Sequence, residues 1–323
     1  MMRAILFEAP RQIRLIDDMP VPEPGEGEVL VRCTHLGICG GNVGPYTGAG
    51  QWAETDWPAP PGWQGHESVG VIVESRNDAW PVGTPVLAQD KRMSGFVEYI
   101  VPSPRSIFPL PEDVDDMGPF VLAQPMSTVL RALSATRPVI GECCAVVGQG
   151  PIGLMFTYLL KQFGARRVIA ADPVPWRLEW SRRLGADDVI DASRYDTVEA
   201  VSELTEGKMV DLCIEAAHLG PALVDAALLP RRQGRLCVFG VSFDQRDAFP
   251  WNYTTNNETE IVITRGTGWM DYAPLAIDRL NDGWGELLDL VTPRLPWERA
   301  REGFEMYAYP AKHEGSLKVV LDL

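Results

Sequence analysis

Three residues in two short glycine-rich stretches carry side chains able to do chemistry together. One stretch reads Gly37-Ile-Cys39-Gly-Gly-Asn42 and the other Gly65-His66-Glu67-Ser-Val-Gly70. A thiolate, an imidazole and a carboxylate are ligand types that zinc accepts. Three protein ligands would leave a fourth position open for water or a substrate. Taken singly each has a plainer reading: Cys39 as a small packing residue, His66 as a core or surface histidine, Glu67 as a solvated charge.

The second constellation runs from Ala145 to Asp172. Gly148, Gly150 and Gly153 form a GxGxxG pattern after a short β-branched run, Pro151 stands at a first helical position, and Ile152 follows it. A helix-length apolar segment leads to a second hydrophobic run that ends on Asp172, nineteen residues after Gly153. This is the βαβ fingerprint of a dinucleotide site. Gly148 permits the tight turn, Gly150 lets the backbone approach a pyrophosphate, and Gly153 lets the helix sit close to the strand. The helix N-terminus offers unpaired N–H groups and a partial positive charge to that pyrophosphate. Asp172 can accept from the ribose hydroxyls and repels a 2′-phosphate, which favours NAD over NADP. Arg177, five residues on, lies where it could flank the ribose or relieve part of that repulsion.

These residues need two kinds of scaffold. Up to about residue 118 the chain shows short strand patterns (Ala4–Phe7, Ile13–Asp17, Glu28–Cys33, Val69–Val73, Pro85–Leu87, Gly95–Val101) cut by Pro/Gly clusters. Such spacing predicts a small barrel-like β unit. From about Gln124 strands and helices alternate: helix Trp176–Leu184, strand Asp188–Ile190, helix Thr197–Leu204, strand Val210–Glu215, helix Leu219–Leu229, then strands Arg235–Gly240 and Glu260–Ile263. With the two strands of the fingerprint, that makes six strands with crossover helices, a doubly wound parallel sheet. The tail predicts two helical segments, a helix near Trp297–Tyr307 and a last strand, Leu317–Leu321.

Bulk properties narrow the partners. The 323 residues suffice for about two domains, and 46% apolar with 23% charged residues is a globular balance. A net charge of −15 argues against nucleic acid and anionic membranes, which require a basic face. No signal peptide or membrane span is legible. The six cysteines include no C-x-x-C pair, as expected of buried thiols in a reducing compartment, and cytoplasm is the expected location.

With the Cys39 and His66-Glu67 motifs ahead of the dinucleotide fingerprint, and with Ala123-Gln-Pro-Met-Ser-Thr-Val and Lys318-Val-Val-Leu-Asp, the chain resembles the medium-chain dehydrogenase/reductase family. Its likeness is to the zinc alcohol and polyol branch typified by sorbitol and threonine dehydrogenases. The resemblance implies α/β plus β architecture: a GroES-like catalytic domain over residues 1–124, an inserted Rossmann domain over 125–267, and a segment 268–323 completing the catalytic domain. It implies an active site in the cleft between the domains, where Cys39, His66 and Glu67 hold one zinc that acts on an alcohol or ketone. Hydride would pass between the substrate and C4 of the nicotinamide.

Several positions depart from the family pattern. Gln124 stands where polyol-type relatives carry a glutamate on or behind the metal, so a neutral oxygen donor is expected there. Gly41 replaces a proton-relaying Ser or Thr, and Asn42 replaces an acidic residue. The four cysteines of a structural zinc are missing from residues 88–95, which leaves one metal at most. Tyr46, Trp52 and Trp269 are candidates for the substrate pocket, with burial against the domain the plainer reading of any single ring in the 44–65 loop, and Phe239 and Val241 are candidates for the nicotinamide side. The expected activity is NAD-dependent oxidation of a secondary alcohol by a homodimer or homotetramer. The alternatives are a zinc-free reductase of activated double bonds or ketones, and a dinucleotide-binding protein without turnover.

Overall fold

The computed structural model describes residues 1–217, 220–240, 248–264, 266 and 268–323, with Gln51 described through its backbone only. The chain divides into two compact units: Met1–Ser127 with Met270–Leu323, and Thr128–Trp269.

The first unit opens with β1 (Met2–Ala9) and β2 (Gln12–Met19), paired as an antiparallel ribbon. Then come β3 (Val29–Gly37), the short helix α1 (Val43–Thr47), β4 (Ser68–Ser75), β5 (Pro85–Asp90), β6 (Tyr99–Ile100) and β7 (Pro102–Pro109), and helix α2 (Ala123–Ala135) passes from this unit into the second after Ser127. In the second unit β8 (Cys143–Val147), α3 (Pro151–Gln162), β9 (Arg167–Asp172), α4 (Pro175–Arg183) and β10 (Asp188–Asp191) lead on to α5 (Thr197–Leu204), β11 (Val210–Glu215) and α6 (Gly220–Leu228). It continues with β12 (Pro230–Val238), α7 (Trp251–Asn256) and β13 (Glu260–Ile263). The chain then re-enters the first unit with α8 (Ala273–Asn281), β14 (Val291–Pro296), α9 (Ala300–Ala308) and β15 (Lys318–Asp322).

The returning segment completes the larger sheet of the first unit, whose strand order is β14-β15-β3-β4-β5-β7 with β6 also on β3. β15 runs antiparallel to β3 with Val320 opposite Gly37 and Leu321 opposite Leu36. The Ile38 amide donates to the Val319 carbonyl at 3.0 Å. This register lays Lys318 alongside the turn that leaves β3 toward Cys39. Beneath the sheet the Phe304 ring stacks on Tyr46 and meets Phe7 and Phe96 edge-on, with centroids 5.2–5.3 Å apart.

Two strands of this sheet, β7 and β14, have no counterpart in the sequence reading. Both carry prolines at their ends and within them, which read as punctuation. Both are edge strands, where a missing N–H costs no ladder bond. The expected strand over Gly95–Val101 is also shorter, reduced to β6 and an isolated bridge from Val97 to Ala4.

The second unit is a six-stranded, all-parallel sheet of order β10-β9-β8-β11-β12-β13. Counted from β8 this is the 3-2-1-4-5-6 order of a doubly wound dinucleotide fold. All five residues of β8 are buried, as a central strand covered on both faces requires. Proline at the first position starts both α3 and α4, where its missing N–H has no intrahelical partner to lose.

Glu98 fastens β1 to the larger sheet. Its carboxylate accepts from the Arg3 amide at 2.6 Å and the Arg3 Nε at 2.7 Å, while its carbonyl accepts from the Cys33 amide at 2.8 Å. Burial raises the Glu98 carboxyl, but the Arg3 N–H donors and charge prevail and hold it below the usual carboxylate range. Its contribution is therefore full above that range and is lost as the pH falls through the lowered value. We expect Glu98→Gln to cost about 1 kcal/mol at pH 7, allowing for the solvent exposure of Arg3. Denaturant unfolding at a series of pH values should show the two proteins converging toward acid.

Candidate metal and dinucleotide sites

Cys39 follows the turn out of β3 and His66-Glu67 leads into β4, so two neighbouring strands deliver the three side chains. One ligand atom from each lies within 4.8 Å of the others, the one such group of His, Cys, Asp and Glu among the described residues. Cys39 Sγ is 3.0 Å from His66 Nε2, and His66 Nδ1 is 2.8 Å from the Gln64 carbonyl. A carbonyl only accepts, so Nδ1 carries a hydrogen and Nε2 faces the sulfur. Burial draws the imidazole down, but the Cys39 sulfur, by charge and hydrogen bond, together with Glu67 and the Gln64 carbonyl, raises it to about 9.

Glu67 is almost wholly buried, and so is Lys318, which pairs with its Oε2. Oε1 is buried without a hydrogen-bond partner. Glycine at position 37 is needed for this arrangement, because a Cβ there would collide with the Glu67 carboxylate. A soft sulfur, an imidazole nitrogen and an unsatisfied carboxylate oxygen, gathered so closely, fit a zinc ion in donor type and count.

In the second unit the turn after β8 is shaped for close approach. Gly148 has a φ of 92°, and a Cβ at Gly153 would strike the Gly148 carbonyl, so α3 packs directly against the turn. Among the described residues a Cβ at Gly150 would meet only Arg177 Nη1, at 3.9 Å, which leaves room there for a ligand. Pro151 and Ile152 begin α3 behind it. Asp172 ends β9, its carboxylate accepting from the Gln149 amide at 2.6 Å and the Val174 amide at 2.8 Å, with Arg177 Nη1 3.8 Å away. Burial raises the Asp172 carboxyl against the Arg177 charge and those two donors. Gln149, between the first two glycines, is fully buried and its side-chain oxygen accepts from Thr157 and Ser181. The open cradle at Gly150 fits a dinucleotide pyrophosphate.

Two family descriptions match successive parts of the chain. Residues 25–112 match the alcohol dehydrogenase GroES-like domain, and residues 151–282 match the zinc-binding dehydrogenase domain. The chain belongs to the zinc-type medium-chain dehydrogenase family. This dehydrogenase is 28% identical over 335 residues to sorbitol dehydrogenase of Bacillus subtilis, covering 94% of this chain and 93% of the relative. It is 27% identical over 350 residues to L-threonine 3-dehydrogenase of Rhizobium johnstonii, covering 100% and 99%. The solved 2R,3R-butanediol dehydrogenase of Bacillus subtilis shares the fold, with a TM-score of 0.84 at 23% identity over 100% of both chains.

The structure places the other expected site residues of the dehydrogenase less uniformly. Tyr46 is fully buried in the aromatic core and its hydroxyl donates to Glu305 at 2.5 Å, which corrects its assignment to a substrate pocket. An apolar ring with a polar tip is stabilised there by stacking and one half-buried acceptor. Trp52 is half-buried with its ring edge-on to Trp63 at 5.1 Å, and its Nε1 is buried without a partner. Trp269 is buried at the end of the second unit, and Phe239 is buried with its ring edge-on to Phe156 of α3. Gln124 is buried at the second position of α2. Val241 lies outside the described residues.

Sequence reasoning assigned no role to Lys318 beyond the closing motif. The available signal was a lysine at the head of an otherwise apolar terminal strand, where only a buried partner makes its charge tolerable. Removing that charge alone, as in Lys318→Met, leaves Glu67 buried and uncompensated. We expect a loss of about 3–5 kcal/mol in metal-free unfolding experiments, largely recovered when Glu67→Gln is added. A loss below about 1 kcal/mol in the single variant would count against a buried pair.

Proposed function

We propose that this enzyme is a zinc-dependent dehydrogenase that moves hydride between a secondary alcohol, or its ketone, and NAD(H). The observation that carries the reading is that Cys39, His66 and the buried Glu67 bring one ligand atom each within 4.8 Å of one another. The names of the relatives, sorbitol and L-threonine dehydrogenases, point to a small hydroxyl-bearing substrate.

Cys39, His66 and Glu67 would hold the metal, with Gln124 as an additional neutral oxygen donor. Bound there, zinc supplies Lewis-acid polarisation of the substrate oxygen, and NAD supplies the hydride acceptor. The residues of the chain prepare for this chemistry. The Gln64 carbonyl fixes the His66 ring with Nε2 inward, and Lys318 occupies one Glu67 oxygen while leaving the other. Gly148, Gly150, Pro151, Ile152 and Gly153 would form the pyrophosphate turn, Asp172 and Arg177 would flank the ribose, and Phe239 would face the nicotinamide. Gly41 brings no hydroxyl to the site, and Tyr46 is engaged by Glu305. Ordered water or Glu67 would then carry the substrate proton.

The reading carries one zinc per chain and no structural zinc, since residues 88–95 contain no cysteine. All six cysteines are free and no described helix could span a membrane. We place the enzyme in the cytoplasm as a homodimer or homotetramer.

Metal analysis should find one zinc per chain, and chelation should abolish NAD-dependent oxidation across a panel of secondary alcohols and polyols, with activity restored by added zinc. A metal-free protein with full activity would sink the reading in favour of a zinc-free reductase. We further expect Asp172→Ala to weaken NADH binding about 10–100-fold and to narrow discrimination against NADPH, as loss of hydrogen bonds to a charged acceptor implies. Paired fluorescence titrations with the two cofactors check this.

A further inference from the structure

Asn42 occupies a position that no other side chain in the metal group duplicates. It is 1% exposed, three residues after Cys39 in a loop whose intervening residues are both glycine. Its Oδ1 accepts from the Cys39 amide at 2.9 Å, and its Nδ2 donates to the Gln64 carbonyl at 3.0 Å. The partners force this orientation, since a backbone N–H only donates and a carbonyl only accepts. An amide satisfies both ends at once, whereas a carboxylate would set an oxygen against the Gln64 carbonyl.

The same Gln64 carbonyl accepts from His66 Nδ1 at 2.8 Å. One buried side chain thus ties the backbone of Cys39 to the atom that orients the His66 ring. Gly40, Gly41 and Asn42 form one 3-10 turn, in which the Asn42 amide donates to the Cys39 carbonyl at 3.0 Å, and among the described residues a Cβ at Gly41 would meet Cys39 Sγ at 3.4 Å and His66 Cε1 at 3.8 Å. The separation of 3.0 Å between Sγ and Nε2 is held largely from behind.

We propose that Asn42 is the positioning residue of the metal site, locking the Gln64 carbonyl onto His66 Nδ1 so that Cys39 Sγ and His66 Nε2 are preset as ligands. The proposal rests on the zinc reading above and deepens it. Partners behind metal-bound histidines typically govern metal affinity by 10–100-fold when removed.

The test compares wild-type full-length protein with Asn42→Ala and Asn42→Leu, the second keeping most of the volume should the first fail to fold. Three quantities are measured: zinc affinity by chelator competition, the hydrogen-bonded Nδ1–H resonance of His66 by NMR, and the unfolding midpoint of the metal-free protein. We expect zinc binding to weaken about 10–100-fold and the His66 Nδ1–H to exchange at least tenfold faster with solvent in a variant that is still folded. Zinc affinity within twofold of wild type with an unchanged resonance overturns the proposal, and a lowered unfolding midpoint alone assigns Asn42 a purely structural role. Wild-type protein that takes up no zinc overturns the metal reading instead. The resonance then decides by itself whether Asn42 holds the ring.

Discussion

Glu67 and Lys318 bury opposite charges against each other, and the first unit is arranged so that they can. Removing either charge from water is costly, and a buried ion survives only with a close partner and satisfied neighbours. That requirement explains the missing side chain at Gly37, which clears space for the carboxylate. It also gives the last strand a purpose beyond packing. β15 must dock on β3 in one register, with Val320 opposite Gly37, or Lys318 would arrive on the wrong face. The unpaired oxygen left on Glu67 is then a consequence of geometry, and it makes the group receptive to a cation.

The dinucleotide unit solves a different problem with backbone rather than charge. Its turn is narrow because Gly148 takes a conformation that side chains resist and Gly153 presses against it. The openness at Gly150 follows from the same economy. Asp172 is held by two backbone amides and approached by Arg177, so its carboxylate is fixed in place. Gln149 anchors α3 and α4 to the turn through Thr157 and Ser181, a polar knot inside an otherwise apolar layer.

Much of this was legible along the chain, for local reasons. The six strands of the parallel sheet announced themselves as short apolar runs between helical patterns, while their order was decided by the fold. Cys39, His66 and Glu67 stood out by residue type, and the fold brings them together. The edge strands β7 and β14 escaped because their prolines resemble loop residues until one knows which strand lies beside them. Tyr46 could be read as a pocket or a core residue, because a tyrosine in a glycine-rich loop gives no sign of whether its ring faces solvent or core, and the structure buries it. Its burial depends on Phe304 and Glu305, which arrive from the far end of the sequence.

By itself, then, the sequence determined whatever short-range constraints fix: the glycine turn with its following helix, the alternation of strand and helix, and the metal-prone residue types. These depend on backbone conformation and spacing within a few residues. The tertiary structure alone decided which lysine answers Glu67, which amide spans Cys39 and Gln64, and which aromatic rings form the core. Those pairings are set by sheet register and by the return of the C-terminal segment, and nothing in local spacing encodes them.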